Sequence, residues 1–498
     1  MQYTPLEDIP KIRETLRNGF RAGKTKSVAH RKQQLKQLGY LIQENMQAFL
    51  DTLQSDLGRP YFESDVLEIT PAIACIKDAH DNVDKWAKTE KARYRFSTSA
   101  MQPQYRKEAK GTVLCISPYN VPVLLSMQPV VAALSAGNTV CLKPSEQTPA
   151  TSSLLGELIN KHMDPEVIQV VQGSVEVATK LLELQWDHIT YTGSQRVARI
   201  VAAAAARYLT PTTLELGGKS PVIIDPKSDL RLAARRIWWG NVVNGGQVCV
   251  APDYVLCPRE VQDKLIKEIN IAHAEFFPKG PKNSDSFCRM VSTNHTERIA
   301  RMLKATKGDI VLGGEIEVKE RYVAPTLVIN PSLDEPLMQE EIFGPVLPIV
   351  PVQNVDEAIA FINARDHPLA IHVFSQNSKV KAKVADETQS GGFLANELLF
   401  QVTTHGLPFG GVGPSGSGKL CGKFGFDTLS HLRCTLDSPK YLDTLVLWKR
   451  YAPYTEANRK SLVSAAGDYF PDRHASKYGR GLWGLLAAIA AAAGISLA

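Results

Sequence analysis

Residues 111–144 read GTVLCISPYNVPVLLSMQPVVAALSAGNTVCLKP, and this stretch decides the fold. Two short apolar runs, 111–117 and 138–142, have the length of buried strands, and the run between them, 123–135, has the length of a helix. The alternation continues with a helix over 153–162, a strand over 167–172, a helix over 175–184 and a strand over 188–192 that ends in Gly193-Ser194. Strands separated by helices of about ten residues predict a parallel, doubly wound sheet. Ligands of such sheets bind beyond the carboxyl ends of the strands. The rhythm restarts after Pro221 and runs to about residue 415, as a second α/β unit.

Upstream, Val28, Leu35, Leu38, Leu41, Met46, Phe49 and Leu53 recur at three- and four-residue steps, which predicts one long amphipathic helix over 26–57. A second helix is expected over 63–88. The polar and aromatic stretch 93–106 carries Pro103 and suits an exposed hairpin or arm. Residues 441–480 read as a loose connector. The last eighteen residues, GLWGLLAAIAAAAGISLA at 481–498, carry no charge and follow Arg473, Lys477 and Arg480. As a helix they span about 27 Å, close to the hydrocarbon core of a thin bilayer, so a membrane tail anchor is expected.

Composition excludes several classes. The chain has 498 residues, 44% hydrophobic and 22% charged, which suits about three globular units and excludes a disordered chain or a many-span transporter. A net charge of +6 is mild for this length and gives no reason to expect a nucleic-acid partner. Residues 11–36 nevertheless hold nine Lys and Arg against the single acid Glu14. Such a run is read as a solvated helix face, with attraction to an anionic lipid surface as the sharper alternative. The eight cysteines form no C-x-x-C pair and do not cluster with histidine, so neither a metal site nor a disulfide scaffold is expected. The stretch from Met1 to Ile12 is polar and holds two prolines, unlike a secretory signal.

Chemistry concentrates in four segments. Cys249 follows two glycines in Asn244-Gly245-Gly246-Gln247-Val248-Cys249, where the backbone can approach a ligand closely. A nucleophilic thiol needs a base within reach and donors for the oxyanion that develops. Glu215, set among apolar residues and glycines in Leu214-Glu215-Leu216-Gly217-Gly218, has the surroundings that raise a carboxyl toward the working range of a general base. Asn120, directly beyond a strand end, offers a side-chain amide. Gly193-Ser194 opens a helix whose free N–H groups suit a pyrophosphate.

Together these segments resemble the NAD(P)-dependent aldehyde dehydrogenase superfamily over about residues 10–440. The likeness is strongest to its class 3 branch, which includes fatty aldehyde dehydrogenases. Phe20-Arg21-Ala22-Gly23-Lys24-Thr25-Lys26, Ala251-Pro252-Asp253-Tyr254 and Leu407-Pro408-Phe409-Gly410-Gly411-Val412-Gly413 carry the class 3 likeness. The resemblance implies an NAD-binding domain from 1–92 and 111–210, a catalytic domain from 211–415, and an oligomerisation arm of 93–110 with 424–440. A homodimer is implied as well.

By the same likeness Cys249 is the nucleophile. Asn120 and the Cys249 backbone N–H hold the oxyanion of a thiohemiacetal, and Glu215 activates the water that hydrolyses the thioester. Lys143 and Glu146 match the positions that meet the adenosine ribose; a carboxylate there repels a 2′-phosphate, which favours NAD while leaving NADP possible. Glu341 and Phe343 match the residues at the nicotinamide ribose and ring. Three departures bear on specificity: Tyr119 and Val121 replace bulkier aromatics around Asn120, Ala198 stands where a second glycine often follows Thr-Gly-Ser, and Leu420-Cys421 replaces Tyr-His.

The expected activity is oxidation of a long-chain aliphatic aldehyde to its acid, on the cytosolic face of an intracellular membrane: endoplasmic reticulum, outer mitochondrial or peroxisomal. An aromatic or pathway-specific aldehyde is the enzymatic alternative. A membrane-tethered scaffold on a retired enzyme fold is the non-enzymatic one. Glu215, as water activator, argues against a CoA-acylating enzyme.

Overall fold

A computed structural model describes residues 1–467 and Phe470. The apolar tail at 481–498 lies outside the described residues. Among the described residues no helix is long and apolar enough to cross a membrane. Contacts divide the chain into one unit of Met1–Lys88 with Arg106–Arg433 and another of Thr89–Tyr105 with the residues from Cys434 onward.

The larger unit holds two mainly parallel sheets, in agreement with the expected doubly wound α/β architecture. The first contains β1 (Thr112–Ile116), β2 (Thr139–Lys143), β3 (Ile168–Val170), β4 (His188–Thr192) and β5 (Thr212–Glu215). Their spatial order is β5-β4-β1-β2-β3, all parallel. The chain starts in the middle, winds to one side and then crosses to the other, so the switch point falls between β1 and β4. Val113, Leu114 and Cys115 are fully buried. The helix that follows, Pro122–Ala136, is buried along its whole length, as a helix apolar all round must be. Gly137 ends it at φ 92°, where an added Cβ would lie 2.5 Å from the Arg31 guanidinium, so only glycine fits the turn.

The second sheet contains β6 (Pro221–Ile224), β7 (Tyr254–Pro258), β8 (Asp309–Leu312), β9 (Thr326–Ile329), β10 (Val346–Val352), β11 (Ala370–Phe374) and β12 (Gly392–Ala395). Its order is β8-β9-β10-β7-β6-β11-β12, with only the edge strand β8 antiparallel. A last short strand, β13 (Gly416–Ser417), returns to the first sheet and pairs antiparallel with β5, setting Gly416 opposite Glu215.

The helix expected over 26–57 is two helices, Val28–Glu44 and Met46–Leu57. Asn45 breaks them at φ −116°, ψ 20°, and its amide donates to the Leu41 carbonyl at 2.8 Å. The apolar spacing runs through the break because both helices face one core, so periodicity alone does not reveal it. The helix expected over 63–88 begins as one turn, Tyr61–Ser64, passes through a π turn at Asp65–Ile69 and continues as Thr70–Trp86.

Much of the basic run 11–36 is used inside the larger unit. Lys24 pairs with Asp164 at 2.9 Å and Lys32 with Asp84 at 2.6 Å. The buried Arg31 donates to the carbonyls of Thr25, Lys26 and Ser135.

In the smaller unit, Glu90–Lys91 pairs antiparallel with the start of the strand Gln104–Ala109. Among its described residues the connector holds the short α-helices Lys440–Leu445 and Glu456–Ala466 and a 3-10 turn at Leu447–Arg450, none of which buries a residue.

Candidate active site

Five of the sequence-selected positions fall at the carboxyl ends of strands in the first sheet. Asn120 lies beyond the end of β1, Lys143 ends β2, Gly193 and Ser194 follow β4, and Glu215 ends β5. The parallel register brings these carboxyl ends together around the switch point. Cys249 and Glu341 come from loops that lead into β7 and β10 of the second sheet.

The helix Leu230–Val242 delivers the cysteine loop. It runs into a tight turn at Val243–Gly246 in which Asn244 (φ 52°) and Gly245 (φ 60°) are left-handed. Gly246 (φ 71°) passes so close to the Gly344 carbonyl that a Cβ there would sit 2.3 Å from its oxygen. Cys249 is half-buried, and the backbone N–H groups of Cys249 and Val250 lie near enough to its sulfur to favour the thiolate somewhat. Burial pushes the thiol well above its ordinary value, and the nearby carboxyls of Glu341 and Glu215 add to the rise. The Asn120 amide reaches this loop directly, with Nδ2 donating to the Gln247 carbonyl at 3.0 Å. Its second amide hydrogen is left for another acceptor.

Glu215 is buried, and neither carboxylate oxygen has a hydrogen-bond partner among the described residues. Burial therefore raises its pKa far above the usual carboxylate range, against the pull of Lys419. Lys419 is itself held by the Gly410 carbonyl at 2.5 Å.

The candidate cofactor residues form a second cluster. The buried Lys143 ammonium donates to Glu146 at 3.0 Å and to the Pro144 carbonyl at 3.0 Å. Ser194 caps the helix Gln195–Ala206, accepting from the Val197 N–H at 3.4 Å. An apolar crevice lined by Ala198, Ala202, Leu214, Leu216 and Pro414 lies against that helix. Its apolar lining suits the face of a ring, and the polar positions of Glu146 and the helix start suit ribose and phosphate, so the chemistry of these residues fits a dinucleotide.

Glu341 is drawn close to the Gly217 backbone, where a Cβ would lie 2.1 Å from its carboxylate, and the neighbouring Gly218 backbone opposes the rise in its pKa. Burial first, then Asp253, raises it to about 8. Phe343, left-handed at φ 50°, meets the Tyr119 ring edge-on with centroids 6.0 Å apart. Tyr119 also packs on His295 at 5.1 Å, so this departure from the family pattern faces the Phe343 side of the site.

Several residues that sequence reasoning did not select hold this arrangement. Arg298 donates to the Glu341 carbonyl at 3.0 Å, and the Ile342 N–H donates to Asp253 at 2.8 Å. Lys219 bonds Asp253 and the Glu340 carbonyl. A separate cavity is lined by Pro71, Cys75, Leu124, Gln128, Val402 and Cys421. Asp78, Thr403, Thr404 and His405 also line it, so the cavity is of mixed polarity, and burial raises the Cys421 thiol well above its ordinary value.

A family model described as aldehyde dehydrogenase family matches residues 1–434. The chain is 43% identical over 453 residues to aldehyde dehydrogenase family 3 member B1 of Rattus norvegicus, covering 91% of this chain and 96% of that one. Its structure resembles AldH of Staphylococcus aureus in a substrate-bound state, with TM-score 0.84, 34% identity, and 97% and 99% of the two chains covered. It also resembles an aldehyde dehydrogenase of Mycobacterium tuberculosis complexed with NAD+, with TM-score 0.79, 26% identity, and 88% and 91% covered.

Proposed function

The chain belongs to the aldehyde dehydrogenase family, and from that premise we propose that it oxidises a long-chain aliphatic aldehyde to its carboxylic acid, using NAD and accepting NADP. The observation that carries this reading is the buried, unpartnered Glu215 carboxyl within electrostatic reach of the Cys249 thiol.

Cys249 attacks the aldehyde carbon, and the free hydrogen of the Asn120 amide with the Cys249 N–H receives the oxyanion. One such preorganised donor is worth about 10²–10³ in rate. The bound nicotinamide supplies the acceptor for the hydride that leaves the thiohemiacetal. Glu215 then takes a proton from the water that hydrolyses the thioester, a role matched by its raised proton affinity. Lys143, Glu146 and the helix start at Gly193-Ser194 hold the adenosine half and the pyrophosphate, while Glu341 and Phe343 hold the nicotinamide end.

The aliphatic part of the reading is supported by the class 3 likeness of Phe20–Lys26, Ala251–Tyr254 and Leu407–Gly413 and by the uncharged apolar stretch 481–498. Residues 481–498 attach the protein to an intracellular membrane, with the catalytic unit on the cytosolic side, and the arm makes a homodimer. An aldehyde held in lipid is then available at the surface where the enzyme sits.

NADH formation with aldehydes of two to sixteen carbons, extended to aromatic aldehydes, tests the substrate. Rates that rise with chain length support the reading, and equal or better rates on short or aromatic aldehydes overturn its aliphatic part. Cys249→Ala is expected to abolish turnover and keep NAD binding. Turnover surviving that change overturns the mechanism, and no wild-type turnover with any aldehyde favours a scaffold.

A further inference from the structure

Arg59 follows Gly58, the left-handed residue (φ 59°) that ends the helix Met46–Leu57. Its guanidinium is 2% exposed and donates to three separate parts of the chain. Nε and Nη2 reach Asn244 Oδ1 at 2.9 and 2.6 Å, Nη2 also reaches the Asn120 carbonyl, and Nη1 pairs with the fully buried Glu68. The other oxygen of Glu68 accepts from the Val123 N–H, three residues after Asn120.

Asn244 closes the circuit. Its Nδ2 donates to the Asn120 carbonyl at 2.8 Å and to the Gln247 carbonyl at 3.1 Å, the same carbonyl that receives the Asn120 amide. Its own N–H donates to Glu63 at 3.0 Å, which holds the left-handed turn from outside. The two loops that carry Asn120 and Cys249 are therefore joined by the direct Asn120–Gln247 bond and by a set of bonds that pass through Asn244 or Arg59.

A buried ion pair is a poor source of stability, because desolvation offsets most of its attraction. What a planar guanidinium with a fixed fork of donors supplies is geometry. We propose that Arg59 and Asn244 are positioning residues, which hold the Asn120 amide in register with the loop that presents Cys249. This inference rests on the reading of Cys249 as nucleophile and Asn120 as oxyanion donor. Lysine has one ammonium in place of the fork and cannot reach Asn244, Asn120 and Glu68 together. Alanine at 244 leaves the Asn120 carbonyl and the guanidinium each short of a partner.

The test uses the full-length protein and the variants Arg59→Lys, Asn244→Ala and, as a control, Arg31→Lys. Arg31 is likewise a buried arginine bound to three carbonyls, and it lies outside this circuit. Both clamp variants are expected to lose about 100-fold in kcat, the scale set by a misplaced or lost oxyanion donor. Their KM for aldehyde and their NAD dissociation constant, read by fluorescence, should stay within about threefold of wild type. Arg31→Lys should lose a comparable amount of thermal midpoint and keep kcat within about threefold.

The inference is overturned if the clamp variants keep kcat, or if Arg31→Lys loses as much kcat for the same loss of midpoint. If Arg59→Lys does not fold, Asn244→Ala decides by the same criteria. Cys249→Ala run alongside separates the two levels: its inactivity with active clamp variants sinks only the clamp, whereas its activity sinks the assignment of the nucleophile.

Discussion

Gly410 and Glu215 approach so closely that a Cβ on Gly410 would lie 2.6 Å from Glu215 Oε1. The glycine backbone forms one wall of the space around the buried acid, and Lys419, bonded to the Gly410 carbonyl, supplies the opposing charge. A methyl group there meets the Gly418 carbonyl at 2.3 Å as well, so both that backbone and the carboxylate must shift. Gly410→Ala is expected to lower kcat by about 10- to 100-fold, the scale of a 1 Å misplacement. Titration with NAD and steady-state assays check it, with NAD affinity unchanged.

Glu215→Gln separates the two halves of the reaction. Acylation of Cys249 does not need the acid to be ionised, but thioester hydrolysis does. Rapid mixing should show about one equivalent of NADH released per active site, followed by a slow phase at least about 100-fold below the wild-type rate. Wild-type kcat should climb with pH through a range well above ordinary carboxylates, since Glu215 must lose its proton to act. That limb should be absent in Glu215→Gln.

His372 predicts a stability response of definite sign. It is fully buried in β11, with Nδ1 3.3 Å from the Pro221 carbonyl and Nε2 without a partner among the described residues. Burial lowers it from 6.5 to about 4. The folded chain then binds fewer protons than the unfolded one between those values, so this contribution is complete above pH 6.5 and is lost as pH falls toward 4. Glu63 and Glu341, raised to about 7 and about 8, act oppositely: their contribution is complete below the ordinary carboxylate range and is lost as pH rises through 7–8. The thermal midpoint of His372→Gln should therefore fall less than that of wild type between pH 6.5 and 4.5.

The tail proposal has its own measurement. Removing residues 481–498 should move the protein from the membrane to the soluble fraction and leave kcat on a water-soluble aldehyde unchanged. Continued sedimentation with membranes after the truncation counts against an anchor in those residues.

The parallel sheets were legible because each strand is a closed apolar run and each crossover helix follows at once, as residues 112–143 illustrate. The site was legible where a residue is odd for its surroundings: a carboxyl among apolar groups at 215, a thiol after two glycines at 249. Glu63, Glu68 and Arg59 gave no such signal. They stand in a mixed stretch, RPYFESDVLE at 59–68, in which nothing local marks a charge as buried. Their burial comes from contacts with Asn120, Val123 and Asn244, between 55 and 185 positions away. Asn45 was hidden for the converse reason, since the apolar positions on either side keep one face.

The pairing of Gly416 with Glu215 joins positions about 200 residues apart. During synthesis the edge that bears the acid stays open until nearly all the catalytic unit has left the ribosome. A nascent or truncated chain that stops before 416 can shape much of both sheets and still have no finished cleft. Aldehydes, which react with any exposed thiol, therefore meet a working centre only on a molecule whose manufacture is almost done.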